Sequence, residues 1–204
     1  VSPGTPSNVA SAIQNTQGSD DLFLNNIEEG EMLVEGAGSQ QGEVIAYNYD
    51  LDNDNTAPFP SNTYQHDSFG SGVAFTLNEG NQGEGWDDDD TWGTSNLNTA
   101  FRNWFACSSI PFTYSTVKGI AIGVDAFHRF DNAIGNVLGG TAQCSSYSGS
   151  SNGSIYRLNM QGTDPLASSS FMRWLNYDSV NGSVQENSSK VPTSMSGKAA
   201  SYEN

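Results

Sequence analysis

Three groups of side chains in this chain have the types and spacing to do chemistry. The first is the run Trp86-Asp87-Asp88-Asp89-Asp90-Thr91-Trp92. Indole rings offer flat apolar surface, and neighbouring carboxylates accept hydrogen bonds from hydroxyls. Trp86, Asp87, Asp88 and Trp92 are therefore the candidate residues for contact with a glycan or a receptor. The second is Asp50-x-Asp52-x-Asp54, which places oxygens at alternate positions as the opening of a calcium loop does. Asn55 stands where such a loop needs glycine and Ser61 where it needs a bidentate glutamate, so a solvated acidic turn is the preferred reading and no cofactor is expected. The third is Gly149-Ser150-Ser151-Asn152-Gly153, which has the GxSxG spacing of a nucleophile elbow. That mechanism needs a histidine after the serine, but His66 and His128 both precede it, and the surrounding Ser/Gly run produces the pattern by composition. No catalytic residue is assigned, and a non-enzymatic protein is expected.

Charge narrows the partners. The 204 residues carry a formal charge of −16, distributed unevenly: positions 1 to 99 hold 17 acids and no Lys or Arg, whereas 100 to 204 hold six acids and all seven bases. A field of that sign repels phosphate backbones and anionic lipid, so neither nucleic acid nor membrane insertion is expected. No apolar run is long enough for a spanning helix. Cys107 and Cys144 allow one disulfide around 36 intervening residues, or two buried thiols if the protein matures in a reducing compartment.

The elements that must position these groups read as short strands. Ala100 to Tyr147 holds the densest aromatic cluster and the alternating run Ile120, Ile122, Val124, and is expected to form the core. Met32 to Val34, Glu43 to Tyr49, Gly72 to Leu77, Phe112 to Lys118, Gly119 to Phe130, Thr141 to Tyr147, Ile155 to Met160 and Phe171 to Tyr177 read as strands. Leu97, Phe101, Trp104 and Phe105 fall at helical spacing, as do Ile134, Val137 and Leu138, which predicts one or two short helices. Asn78 to Ser95 reads as a polar surface loop. Asn152-Gly153 and Asn181-Gly182 read as hairpin turns. No internal repeat is evident. The expected fold is a single all-β domain over 1–204, an antiparallel barrel, jelly roll or sandwich with long loops, an extended arm at 1–21 and a polar tail at 181–204.

This layout of long loops on a β scaffold, with an acidic glycine-rich excursion and a polar tail, resembles the capsid projection (spike) domain of non-enveloped viruses such as astroviruses. The resemblance extends over the whole length and rests on layout. It implies a homodimeric domain on the virion surface that attaches to a host receptor or glycan through its loops. The competing reading is a secreted carbohydrate-binding or calcium-dependent module, with a glycoside-active enzyme behind it.

Overall fold

The chain turns its corners with one recurring device. A residue in the left-handed backbone region is followed by asparagine at Asn25-Asn26, Tyr47-Asn48, Gly80-Asn81, Arg102-Asn103, Gly135-Asn136 and Leu175-Asn176, with φ between 55° and 65° at the first position. Four of those six first positions are not glycine, and a left-handed non-glycine residue costs about 1–2 kcal/mol. The asparagines offset that cost. The backbone N–H of Asn26 donates to Oδ1 of Asn48, Asn48 to Asn81, Asn81 to Asn103, Asn103 to Asn136 and Asn136 to Asn176, each at 2.9 Å. Each side-chain amide from Asn48 to Asn176 also donates to a carbonyl of the preceding layer, at Phe23, Ile45, Asn78, Ala100 and Ala133. A continuous polar ladder therefore runs along one interior corner.

Those corners stack a solenoid. The computed structural model describes residues 11–29, 32–37, 39–51, 65–69, 72–88, 93–107, 119–140, 144–160 and 162–186. The first coil contains β1 (Ser11–Thr16), β2 (Leu22–Leu24) and β3 (Ile27–Glu29), and the second β4 (Met32–Ala37), β5 (Val44–Ala46) and β6 (Tyr49–Leu51). The third has β7 (Gln65–Phe69), β8 (Val73–Ala74), β9 (Leu77–Glu79) and β10 (Gln82–Gly83), and the fourth β11 (Trp86–Asp88), β12 (Ser95–Asn96), β13 (Thr99–Phe101) and β14 (Trp104–Phe105). The fifth has β15 (Ile122–Val124), β16 (Asn132–Ile134) and β17 (Val137–Leu138). The last comprises β18 (Ser146–Gly149), β19 (Ser154–Leu158), α1 (Pro165–Ser170), β20 (Met172–Trp174), β21 (Asn176–Asp178) and β22 (Ser183–Gln185).

Like strands of successive coils pair in parallel. The first sheet runs β1-β4-β7-β11-β15-β19-β18, the second β2-β5-β9-β13-β16-β20 and the third β3-β6-β10-β14-β17-β21-β22, with β8 and β12 forming a short strip at a corner. The protein is all-β with almost no helix, as its composition suggests, but it is a parallel β-helix and not an antiparallel barrel, jelly roll or sandwich. Among the described residues, β21 with β22 is the antiparallel ladder, and Asn181-Gly182 lies in its turn with Gly182 at φ 64°. Asn152-Gly153 makes no hairpin, because β18 and β19 pair in parallel.

Several expected elements change for one reason. The left-handed residue redirects the chain without leaving a loop-like sequence behind, so apparent single elements are split. Glu43 to Tyr49 becomes β5 and β6 around Tyr47-Asn48, and Phe171 to Tyr177 becomes β20 and β21 around Leu175. Both helical-spacing segments, 97–105 and 131–138, are pairs of short strands around Arg102-Asn103 and Gly135-Asn136. The helix that does form, α1, is started by the Asp164 carboxylate accepting the Leu166 N–H, with Pro165 in its first turn. Ser11–Thr16, within the expected N-terminal arm, is β1 of the first sheet, and Ser183–Gln185 of the expected tail is β22. Residues 1–10, the expected strand 112–118 and residues 187–204 lie outside the described residues.

The core is the lumen of the coil, filled by Ile45, Trp86, Phe105, Ile122, Leu138, Ile155, Tyr156 and Phe171. Cys107 and Cys144 are joined in a disulfide across a sequence separation of 37, a closure that the chain-entropy model values at about 4 kcal/mol. Stacking this close needs glycine at particular points. A Cβ on Gly119 would lie 2.1 Å from the Cys107 carbonyl oxygen, and one on Gly85 would lie 2.3 Å from that of Ile120.

The ladder is expected to dominate stability. Asn103→Ala removes the acceptor for the Asn81 N–H and the donor to the Asn78 carbonyl inside a buried corner, which should cost about 2–4 kcal/mol. Thermal and urea unfolding of the variant check this; a Tm within a degree of wild type would show that the ladder contributes nothing.

Candidate functional site

Along each strand the side chains alternate between lumen and exterior, so the register decides which residues can meet a partner. Trp86 stacks on Ile122, which stacks on Tyr156, all buried in the lumen. The candidate contact site built on Trp86 is thus corrected: its ring is core, and Asp87 and Asp88 beside it in β11 are buried as well. Asp89, Asp90 and Trp92 lie outside the described residues. The described part of the stretch read as a surface loop contains parts of β9, β10, β11 and β12, because in a solenoid polar residues serve as interior corner groups as well as surface. Asp50, the first residue of the calcium-loop candidate, is buried in β6, where it lines up with Glu28 and not with a loop. Asp52 and Asp54 fall outside the described residues, and among the described residues no group of three His, Cys, Asp or Glu side chains is arranged to hold a metal.

In the first sheet, Glu35, His66, Asp87, Gly123 and Arg157 occupy successive paired backbone positions. His66 lies on β7. Asp87 and Arg157 are ion-paired at 2.5 Å, Asp125 lies 3.5 Å from the same guanidinium nitrogen, and all three are buried. Gly123 makes this possible, since a Cβ there would lie 1.9 Å from Asp87 Oδ1. The side-chain Oδ1 of Asn152 accepts from Arg157 Nη1 at 3.1 Å. Opposed charges paired out of water hold layers together; removing one partner from such a pair typically costs 3–5 kcal/mol.

His128 is buried at the corner, as a satisfied histidine. Its Nδ1 accepts the Ser95 N–H at 3.0 Å and lies 2.9 Å from Ser95 Oγ and 4.0 Å from Asp88 Oδ2. A nucleophile relay needs serine on one ring nitrogen and carboxylate on the other. Here both converge on Nδ1, in a spot closed to solvent. The segment Gly149 to Gly153 links β18 to β19 with no helix after it, so it is not a strand-to-helix elbow.

The third sheet presents the row that sequence reading missed. Its outward positions are Ile27, Tyr49, Gln82, Trp104, Val137 and Tyr177, continued by Val184. Their inward neighbours Asp50, Gly83, Phe105, Leu138 and Asp178 are buried, whereas Ile27 is 75 % exposed, Trp104 40 % and Tyr177 38 %. Trp104 is held in place: its indole N–H donates to the Gly139 carbonyl at 3.2 Å, and the ring lies against Gly140, where a Cβ would come within 3.5 Å of Nε1. Every member of the row from Ile27 to Tyr177 directly follows a ladder asparagine. That offset was the available signal.

Comparison with family models, with curated proteins and with solved structures finds no match for this chain.

A titratable cluster joins the first two coils. Asn15 donates its amide to Asp21 at 2.8 Å and to Glu43. Burial raises the Glu43 carboxyl to about 7, with the Asn15 amide opposing and the Asp21 charge adding to the rise. The folded protein then holds a proton that the unfolded chain, with an ordinary glutamate near 4.5, has released. The stability from this group is full below the ordinary glutamate pKa and is lost as pH rises through about 7. Glu43→Gln should remove that decline. Melting curves from pH 5 to 8 are expected to show wild type losing stability relative to the variant; parallel curves would refute the assignment.

Proposed function

We propose that the chain is a non-enzymatic attachment domain, displayed on a virion or secreted, that binds glycan on its receptor across the outer face of the third sheet. The observation that carries this reading is the row Tyr49, Trp104 and Tyr177, set on a rigid sheet, with the indole of Trp104 already fixed by its bond to Gly139. Rings ordered before binding lose little entropy on contact, and aromatic anchors contribute the largest shares of recognition energy. A disulfide between Cys107 and Cys144 supports an oxidising, extracellular setting. The net charge of −16 disfavours nucleic acid and anionic membrane as the partner.

The contact residues are thereby moved from the Trp86 region to the third sheet. A glycan array probed with wild type, Trp104→Ala and Tyr177→Ala tests the proposal. Wild type should bind, and each truncation should weaken binding roughly tenfold, while melting as wild type does to within a few degrees. Equal binding by all three proteins rejects the face. Turnover of any bound polysaccharide rejects the non-enzymatic reading.

A further inference from the structure

The aromatic side chains of the third sheet's outward row are spaced regularly, on every second coil. Counting coils, Ile27 is on the first, Tyr49 on the second, Gln82 on the third, Trp104 on the fourth, Val137 on the fifth and Tyr177 on the sixth. The rings fall on alternate coils, and the positions between them are an amide and a valine. Paired strands are about 4.8 Å apart, so successive rings recur at roughly 9.6 Å along the solenoid axis and the three span roughly 19 Å.

Resting on the attachment reading above, we infer that the third sheet binds an extended, uncharged glycan whose chain runs parallel to the solenoid axis, with alternate sugars stacked on Tyr49, Trp104 and Tyr177. Two pyranose units of a fully extended chain, in which successive rings are flipped, advance by about the height of two coils. Every second sugar then offers the same face to the protein. Gln82, between the first two rings, is placed to exchange hydrogen bonds with the sugar between them. A coiled glycan would leave the line of rings after one or two units.

Charge selects among extended polymers. The molecule carries −16 overall, and none of the seven outward positions from Ile27 to Val184 is a lysine or arginine. Uronic or sulfated chains would meet an unfavourable field with no cation in the row to receive them. The same net charge opposes close stacking of a second copy on this face.

The test uses the whole chain and calorimetric titration with β-1,4-linked oligosaccharides of neutral hexoses and of N-acetylhexosamines, from two to six units. Malto-oligosaccharides and oligouronates serve as comparators. Affinity is expected to rise from the dimer to about five units and then level off, to be weaker for the malto series and to be absent for the uronates. Trp104→Ala should abolish the gain with length, because it removes the central ring, whereas Trp104→Phe should keep part of it. If no glycan of any kind binds, the attachment reading itself fails. If glycans bind without dependence on length, or the malto or uronate series binds best, the attachment reading stands and the axial register is overturned. Sedimentation that shows a dimer broken by Trp104→Ala would also overturn the inference, since the row would then be a contact between copies.

Discussion

One interaction governs this molecule: the side-chain amide of asparagine substituting for a missing layer-to-layer backbone bond along one corner of the coil. A solenoid corner needs a residue with left-handed backbone, which is unfavourable for most side chains, and it points main-chain N–H and C=O groups into the interior, where leaving them unpaired costs about 1–3 kcal/mol each. Asparagine satisfies both sides at once, with Oδ1 accepting from the previous layer and Nδ2 donating to a carbonyl there. Because each asparagine from Asn48 to Asn136 both donates its N–H to the next layer and accepts from the previous one, the ladder from Asn26 to Asn176 is a continuous polar network, the arrangement in which buried polar groups specify one packing.

The ladder also sets what the outside looks like. Once asparagine occupies the corner, the next residue must point away from the lumen and the one after it inward, as Trp104 and Phe105 do. Insertions between corners, which stretch the ladder spacing from 22 to 33 and 40 residues, leave this phase untouched. Six separated sequence positions become one straight row.

The acidity of the first half has a different meaning in three dimensions. Glu43, Asp50, Glu84, Asp87 and Asp88 are buried, so five of those 17 acids are structural and not part of a solvated face. Part of their charge is neutralised by Arg157, brought in from the basic half to Asp87 across 70 residues. Glu43 is eased instead by holding its proton. The asymmetry in charge along the chain is thus partly a record of long-range pairing between early and late coils.

What the amino-acid sequence settled by itself was local and compositional: a strand-rich chain with little helix, a core centred on the apolar run at Ile122 and Val124, a turn at Asn181-Gly182, and two cysteines able to bridge. These follow from side-chain volume, β propensity and glycine's freedom at positive φ, which act within a few residues. Parallel pairing, the burial of Trp86 and the row through Trp104 were decided by tertiary structure. Parallel partners sit one whole coil apart, at separations that insertions make unequal, so no fixed period marks them. The inward or outward sense of a two-residue strand such as Trp104–Phe105 follows from the corner before it, and that corner is held by layers 22 and 33 residues away on either side.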